Sequence, residues 1–585
     1  MAGPTDLSIR ALTAAYRAGE LHPPALIDEL YARIEADGLA GEWIHLVPRA
    51  EAIEQAAALA ARPDAATLPL FGIPFGVKDN IDVAGMPTTA GCAGYAYLPE
   101  HSAQCVQPLL QAGALCLGKL NLDQFATGLV GSRSPYGAAR NVFNPDYVAG
   151  GSSSGSAVAV AAHHVSFSLA TDTAGSGRVP PALNNLVGLK PSVGRISNRG
   201  VVPACASIDC VAIFALCVAD AAQLRAIIEG SSPRKALPRP SRFRFGIPSR
   251  RSEQEDDQTR RTFERTIERL AALGGLPVKI DFTPFAELGD LLYGPFVWER
   301  YLAVGPFIEA QPDAVLPVTR DIILGAKQHT AADLMRAVQR ARQLTRTCLS
   351  LMTQLDVLAL PTVVAPVSVE ADRTSPLSEN DRLGVYTRFA NFCGFPVLVV
   401  PQDFRDDGLP SSVSLVGHPG KDEQLDALGA ALHEQSDAGM GKSRAWPPTY
   451  ETTVGAGPRI RLAVVGAHMR GLSLNHELTR VGARFLTTAH TAASYRLFLL
   501  PGAPERPGLL RVKGGGASIE VELWELTAQE LGELLAQVPP PLGIGSLRLQ
   551  DDELVHGFLC EASACESARD ISQFGGYRRY SEQQG

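Results

Sequence analysis

Lys78, Ser152 and Ser176 have the types and spacing for acyl transfer. Ser152 lies in GGSSSGS (150–156) and Ser176 in TDTAGSGRVP (171–180), 24 residues further on. A serine hydroxyl is a poor nucleophile at its own pKa and needs a base. Lys78 closes the apolar run GIPFGV (72–77), which would bury it. Burial disfavours an ammonium, so a neutral amine becomes available to take a proton. His163 and His164 lie between the two serines and read as structural residues at a helix end. The small residues of TDTAGSG let consecutive backbone N–H groups converge on one point. Such an oxyanion hole is worth roughly 3–4 kcal/mol per donor in a transition state. Asp172 and Arg178 flank that turn and read as a structural ion pair. A nucleotide site fits poorly, because GGSSSGS has neither the GKS or GKT ending of a phosphate loop nor GxGxxG spacing.

The elements that must hold these residues follow from the periodicity. Residues 7–62 read as helical, with Leu26, Ile27, Leu30 and Ile34 at helical spacing and the first helix capped by Thr5 or Asp6. From about 70 to 215, short apolar runs alternate with helical segments, the pattern of an α/β domain around a central sheet. Residues 231–256 are polar and Pro-rich and read as a surface excursion. Helices are expected over 257–275 and 328–356, and strands at DVLALPTVV, FPVLVVP and SSVSLVG. The expected domains are 1–440, a linker at 441–458, and a smaller strand-rich α+β domain at 459–585 in which only TAQELGELLAQV reads as helical.

Composition bounds the class. With 585 residues the chain needs more than one core, and 45% hydrophobic against 19% charged residues suits a globular protein. The net charge of -8 argues against nucleic acid as a partner. No apolar stretch is long enough for a membrane span, and no signal peptide is visible. The ten cysteines show no zinc spacing and read as free thiols in a reducing cytoplasm. No metal and no cofactor are expected.

The combination GIPFGVKDN, GGSSSGS and TDTAGSGRVP, continuing through NLVGLKPSVGRIS, resembles the amidase signature family over most of residues 1–440. Ser154 departs from that family's usual Gly but replaces no catalytic side chain. The resemblance implies a central mixed sheet covered by helices. It also implies Ser176 as nucleophile, Ser152 as the relay serine preceded by a cis peptide, and Lys78 as base. The backbone amides of Thr173, Ala174, Gly175 and Ser176 would form the oxyanion hole. Finer features (TAGSGRVP, residues 124–141 and 200–216, and the whole tail) resemble the allophanate hydrolase branch. That branch implies an amidohydrolase releasing ammonia from the terminal amide of allophanate. Gly128, Tyr293 and Arg300 would then bind the substrate, with Arg133 competing for its carboxylate. A malonamate-type amidase and the glutaminase subunit of an amidotransferase are the alternatives.

The tail resembles a γ-glutamylcyclotransferase-like fold, with His468, Arg470, Glu520, Glu522 and His556 as candidates for assisting decarboxylation of the first product. Strand alternation puts Glu520 and Glu522 on one face. A structural or dimer-forming tail is the alternative. The resemblance further implies a homodimer working beside a separate urea carboxylase or biuret hydrolase.

Overall fold

The computed structural model describes residues 5–38, 41–231, 241–444, 460–501, 506–526, 528–535 and 538–584. The chain divides into two compact units, Met1–Tyr450 and Glu451–Gly585. Of the expected linker, residues 445–458 lie outside the described residues.

The first unit is built on eleven strands: β1 (Trp43–Leu46), β2 (Pro74–Lys78), β3 (Leu115–Leu120), β4 (Phe167–Asp172), β5 (Val187–Lys190), β6 (Cys210–Ala215), β7 (Phe243–Pro248), β8 (Gly275–Ile280), β9 (Val357–Pro361), β10 (Val397–Phe404) and β11 (Pro410–Val416). They form one mixed sheet in the order β1-β3-β2-β4-β6-β5-β10-β11-β9-β7-β8. Strand β2 runs parallel to β3 and β4, and β7 runs parallel to β8 and β9; the remaining neighbours are antiparallel. Strands β2, β4, β5, β6 and β9 are buried along their whole length. That is why β6 (CVAIFA) and β9 (VLALP) read as continuous apolar runs rather than as alternations. Phe75 and Phe167 pair across β2 and β4 with stacked rings 5.0 Å apart. Burying a side chain of that kind contributes about 1.5–3 kcal/mol.

The helix Ser154–Ala161 is buried at every position. Its small residues let it approach backbone directly. A Cβ on Gly155 would lie 2.3 Å from the Glu42 carbonyl oxygen and 2.5 Å from the Asn121 amide nitrogen, so no larger residue fits. This contact fixes the start of the helix, and Ser152 just ahead of it, beside the end of β3.

Several expectations are corrected. The first helix, Ile9–Ala18, is capped by Ser8, whose Oγ accepts from Ala11 N at 3.3 Å. Asp6 instead accepts from Ser8 N, and Thr5 donates to Glu29. The cap position requires a side-chain oxygen within reach of the third helical amide, which Ser8 alone has. Residues 7–62 are not all helical, since they include the edge strand β1; four half-buried residues are too few to show periodicity. The expected excursion at 231–256 contains β7, with Phe243 and Phe245 buried and Arg244 exposed. Its Arg and Pro neighbours hid that alternation.

The second unit has eight strands: β12 (Ile460–Val464), β13 (Arg484–His490), β14 (Tyr495–Leu500), β15 (Arg506–Arg511), β16 (Glu520–Leu526), β17 (Leu542–Arg548), β18 (Leu554–Cys560) and β19 (Arg569–Asp570). They form a five-stranded sheet, β13-β16-β12-β18-β17, and a three-stranded one, β15-β14-β19. By sequence, RLAVVGAHMRG, SYRLFLLPG, ASIEVELWEL, GIGSLRLQDD and LVHGFLCE read as strands, and β13, β15 and β19 fall outside them. Strand β13 shows why: it has no fully buried position and so no apolar alternation. The helix at TAQELGELLAQV spans Ala528–Leu535, and it is joined by Asn475–Arg480, Ala562–Cys565 and Tyr577–Gln584. Ala562–Cys565 is a single turn, and the other two are short and polar, so none gave a helical period.

All ten cysteines are buried, and none is in a disulfide. Among the described residues no helix is long and apolar enough to cross a membrane, and no cluster of three or more His, Cys, Asp or Glu is placed to hold a metal.

Candidate active site

Lys78 ends β2 and is fully buried. Its Nζ donates to Ser152 Oγ and to Thr171 Oγ1, each at 2.7 Å. Burial brings its pKa down to about 7, opposed by Asp123, Asp172 and Asp209 and assisted by Arg300. Among the described residues none of those carboxylates lies within ion-pair distance of Nζ. The ammonium therefore gains distant attraction without a partner, and the neutral amine is populated near neutral pH.

The Gly151–Ser152 peptide is cis. The loop around it is tied to residues 123–133: Asp123 N donates to the Ser152 carbonyl at 3.0 Å, and Gly151 N to the Leu129 carbonyl at 2.7 Å. The Asp123 carboxylate accepts from Gly131 N and Arg133 N. Gly128 sits between Thr127, which accepts from Arg133 and Arg300, and Leu129, whose N–H donates to Asn380 Oδ1 at 2.7 Å.

Ser176 lies on the turn that follows β4. Asp172 and Arg178 hold that turn as a buried ion pair at 2.7 Å, and Asp172 also accepts from Gly177 N at 2.9 Å. Burial works against the Asp172 charge, but Arg178 overrides it and keeps the carboxyl below its ordinary range. Asn391 donates to the Asp172 and Ile208 carbonyls at 2.8 and 2.9 Å. The Thr173 hydroxyl donates to Asp209, whose carboxyl burial pushes up. The N–H groups of Thr173, Ala174, Gly175 and Ser176 donate to no carbonyl in the turns and loops of the described residues. They remain available to a ligand oxygen. The Ser176 hydroxyl is almost buried and makes no hydrogen bond among the described residues, so its expected contact with Ser152 is open here. Contacts of this type commonly tighten only with substrate in place.

Arg300 projects from the helix Val297–Ala310 and is 2% exposed. Its Nη1 reaches the Ala126 carbonyl and Thr127 Oγ1, both at a long 3.3 Å. Its guanidinium carbon lies 6.0 Å from the centre of the Tyr293 ring. Among the described residues no carboxylate pairs with it. Arg133 differs: it is engaged by the Thr127 and Pro376 carbonyls at 3.1 and 2.7 Å. His163 and His164 stand at the far end of the helix that Ser152 precedes. His164 Nε2 meets Asp37 at 3.1 Å, and burial drives the His163 pKa down to about 4.

In the second unit Glu522 is buried on β16. It accepts from Arg470 N at 2.8 Å, Arg578 Nη2 at 2.9 Å and Trp524 Nε1 at 3.2 Å. Glu520 faces the same arginine, 3.8 Å from Arg578 Nε. His468 pairs with Glu477 at 2.9 Å and stacks on Phe558 at 5.3 Å. These three line a pocket with Val465, Arg506 and Pro507. His556 is exposed on β18 and is not among the residues lining that pocket. It shares its face of β18 with Phe558, two residues on, but lies beyond the part of that face that the pocket covers.

The amidase family model matches residues 25–425, more than half of the chain. The chain belongs to the amidase family. A model described as the allophanate hydrolase C-terminal domain matches residues 460–582 of this amidase. Allophanate hydrolase of Kluyveromyces lactis, in a selenomethionine form, superposes with a TM-score of 0.80 at 36% identity, covering 99% of both chains. Urea amidolyase of Saccharomyces cerevisiae is 39% identical over 569 residues, 92% of this chain and 31% of that one. The amidase thus spans about a third of the length of the urea amidolyases it matches. A glutamyl-tRNA(Gln) amidotransferase subunit of Acidobacterium capsulatum is 32% identical over 455 residues, 70% of this chain and 94% of that one.

Sequence reasoning missed Thr171, Asp209, Thr387 and Asn391 in this amidase. Thr171 was inside a motif already singled out, and its place on β4, next to the turn, was the available signal. Thr387 and Asn391 come from the segment before β10, and no spacing connects them to the serines.

Proposed function

We propose that this amidase hydrolyses the terminal amide of allophanate through an acyl-enzyme on Ser176. Neutral Lys78 takes the proton of Ser152 as Ser152 takes that of Ser176. The Ser176 oxygen adds to the carbonyl, and the amides of residues 173–176 receive the oxyanion. The relay then returns a proton to the departing ammonia, and water releases N-carboxycarbamate by the same route. The observation that carries the substrate assignment is Arg300. A buried guanidinium beside Tyr293, without a carboxylate partner among the described residues, suits the carboxylate of a small anionic amide. The similarity of the second unit to allophanate hydrolase C-terminal domains supports the same reading.

That unit, read as γ-glutamylcyclotransferase-like, would assist decarboxylation of N-carboxycarbamate in the pocket of His468 and Glu477. Overall the chain would yield ammonia and carbon dioxide. We further place it in the cytoplasm as a homodimer, fed by a separate urea carboxylase or biuret hydrolase; ten buried cysteines outside any disulfide suit a reducing compartment.

Ammonia release from allophanate, malonamate, biuret, urea and glutamine, with Ser176→Ala as control, tests the reading. Turnover of allophanate that the substitution abolishes is expected. Turnover of another amide with allophanate inert would overturn the substrate and leave the Ser-Ser-Lys chemistry standing.

A further inference from the structure

Among the side chains that brace the turn carrying Ser176 from outside, Thr387 is the one that holds the Ala174 carbonyl. Thr387 lies 211 positions away in sequence, in the segment after the helix Pro376–Gly384. Its Oγ1 donates to the Ala174 carbonyl at 2.7 Å. The other acceptor within reach, the Gly384 carbonyl, is at 3.4 Å. A hydroxyl has one proton, and the shorter contact takes it. The Thr387 carbonyl in turn accepts from Arg178 Nη1, so both ends of the turn meet this residue.

A trans peptide points its N–H opposite its C=O. The Ala174–Gly175 peptide is not among the cis bonds of the described residues. Fixing the Ala174 carbonyl on Thr387 therefore fixes the Gly175 N–H on the opposite side. The fit is close: Gly175 has φ +145°, and a Cβ there would lie 2.4 Å from Thr387 Oγ1. Only a glycine lets the peptide sit against that hydroxyl. The Gly175 N–H itself has no acceptor in the turns and loops of the described residues.

We infer that Thr387 is a positioning residue for the reaction: its hydroxyl aims the Gly175 N–H at the oxygen that becomes negative when Ser176 adds to the substrate. The inference rests on the oxyanion reading of residues 173–176 given above. Thr387 touches neither substrate nor nucleophile. It acts through the peptide plane, so its removal affects the transition state more than the bound ground state.

The test compares Thr387→Val, Thr387→Ala and Thr387→Ser with the unchanged chain. Removing one oxyanion donor costs about 100- to 1000-fold, and misaiming one is expected to lower kcat by roughly 10- to 100-fold in the Val and Ala variants. KM should stay within about twofold, because ground-state binding is untouched. The pH midpoint of the rate should not move, and Thr387→Ser should recover most of the rate. The rate at which a fluorophosphonate labels Ser176 should fall in parallel, since that reaction also builds charge on an oxygen facing the turn. Unchanged kcat in both hydroxyl-free variants overturns the inference, as does failure of Ser to restore it. Loss of the fold in both, with Thr387→Ser intact, also overturns it. If the unchanged chain leaves allophanate untouched, the substrate reading falls, while the labelling rates still decide the role of Thr387.

Discussion

Lys78 and Glu522 are both buried ionisable groups on central strands, one in each unit, and their surroundings differ in kind. Glu522 accepts from a backbone amide, an arginine and an indole, and a second arginine stands 3.4 Å away. Among the described residues Lys78 meets only two hydroxyls, and its pKa falls to about 7. Arg300 repeats the pattern of Lys78, with one carbonyl and one hydroxyl at 3.3 Å. A buried charge whose partners are complete holds structure. A buried charge left incomplete costs stability, and such groups cluster where chemistry or a ligand needs them.

Removing the incomplete charges should therefore hurt activity and spare the fold. Lys78→Met is expected to lower kcat for ammonia release by about 1000-fold or more, as loss of an activating base does. Its effect on stability has the opposite sign. The folded pKa near 7 lies below the unfolded value, so between them the unfolded chain holds a proton that the folded chain lacks. The lysine thus destabilises the fold most below pH 7, and the penalty fades as pH rises toward 10. Thermal unfolding should show Lys78→Met gaining most at pH 6 and least at pH 9.5. A variant that loses both activity and stability at pH 6 would erase the contrast with Glu522.

Asp172→Asn breaks a completed pair inside the catalytic unit. It should cost about 3–5 kcal/mol in denaturant unfolding, because Arg178 is left buried without its counter-charge. Retained stability there would mean that pairing does not separate the two regions. In the unchanged chain, kcat/KM should rise with pH by about tenfold per unit and level off near pH 7, where Lys78 becomes neutral. A flat profile from pH 5 to 9 would remove Lys78 as the base.

Glu522→Gln is expected to have the smallest effect. Arg470 and Arg578 both reach solvent, so losing the carboxylate should cost about 1–2 kcal/mol and leave the first ammonia release unchanged.

What the sequence made legible divides along the same line. Lys78, Ser152 and Ser176 stood out because tight turns and a buried strand end restrict composition locally. The Asp172–Arg178 pair was visible because both flank one turn. Strand β2 was a plain apolar run up to Lys78, whereas β7 was disguised by Arg and Pro and β13 by its exposure. The partners that complete the site come from far along the chain. Thr387 and Asn391 reach the Ser176 turn only through the fold, and polar residues in an irregular segment carry no period. In the second unit, alternation correctly put Glu520 and Glu522 on one face, but Arg578, which meets both, belongs to a terminal helix with no apolar pattern. His556 shares its face of β18 with Phe558, yet it is exposed and outside the pocket, and position along a strand leaves no mark in composition.

The role given to Arg300 is tested most directly by the ratio of kcat/KM for allophanate to that for uncharged biuret, measured in the unchanged chain and in Arg300→Met. A strong preference for allophanate is expected, collapsing by roughly 10- to 100-fold in the variant, the worth of a charge-assisted contact of about 1.5–3 kcal/mol. An unchanged ratio would show that the unpaired guanidinium does not read the substrate carboxylate, and would contradict the link between incomplete buried charge and function.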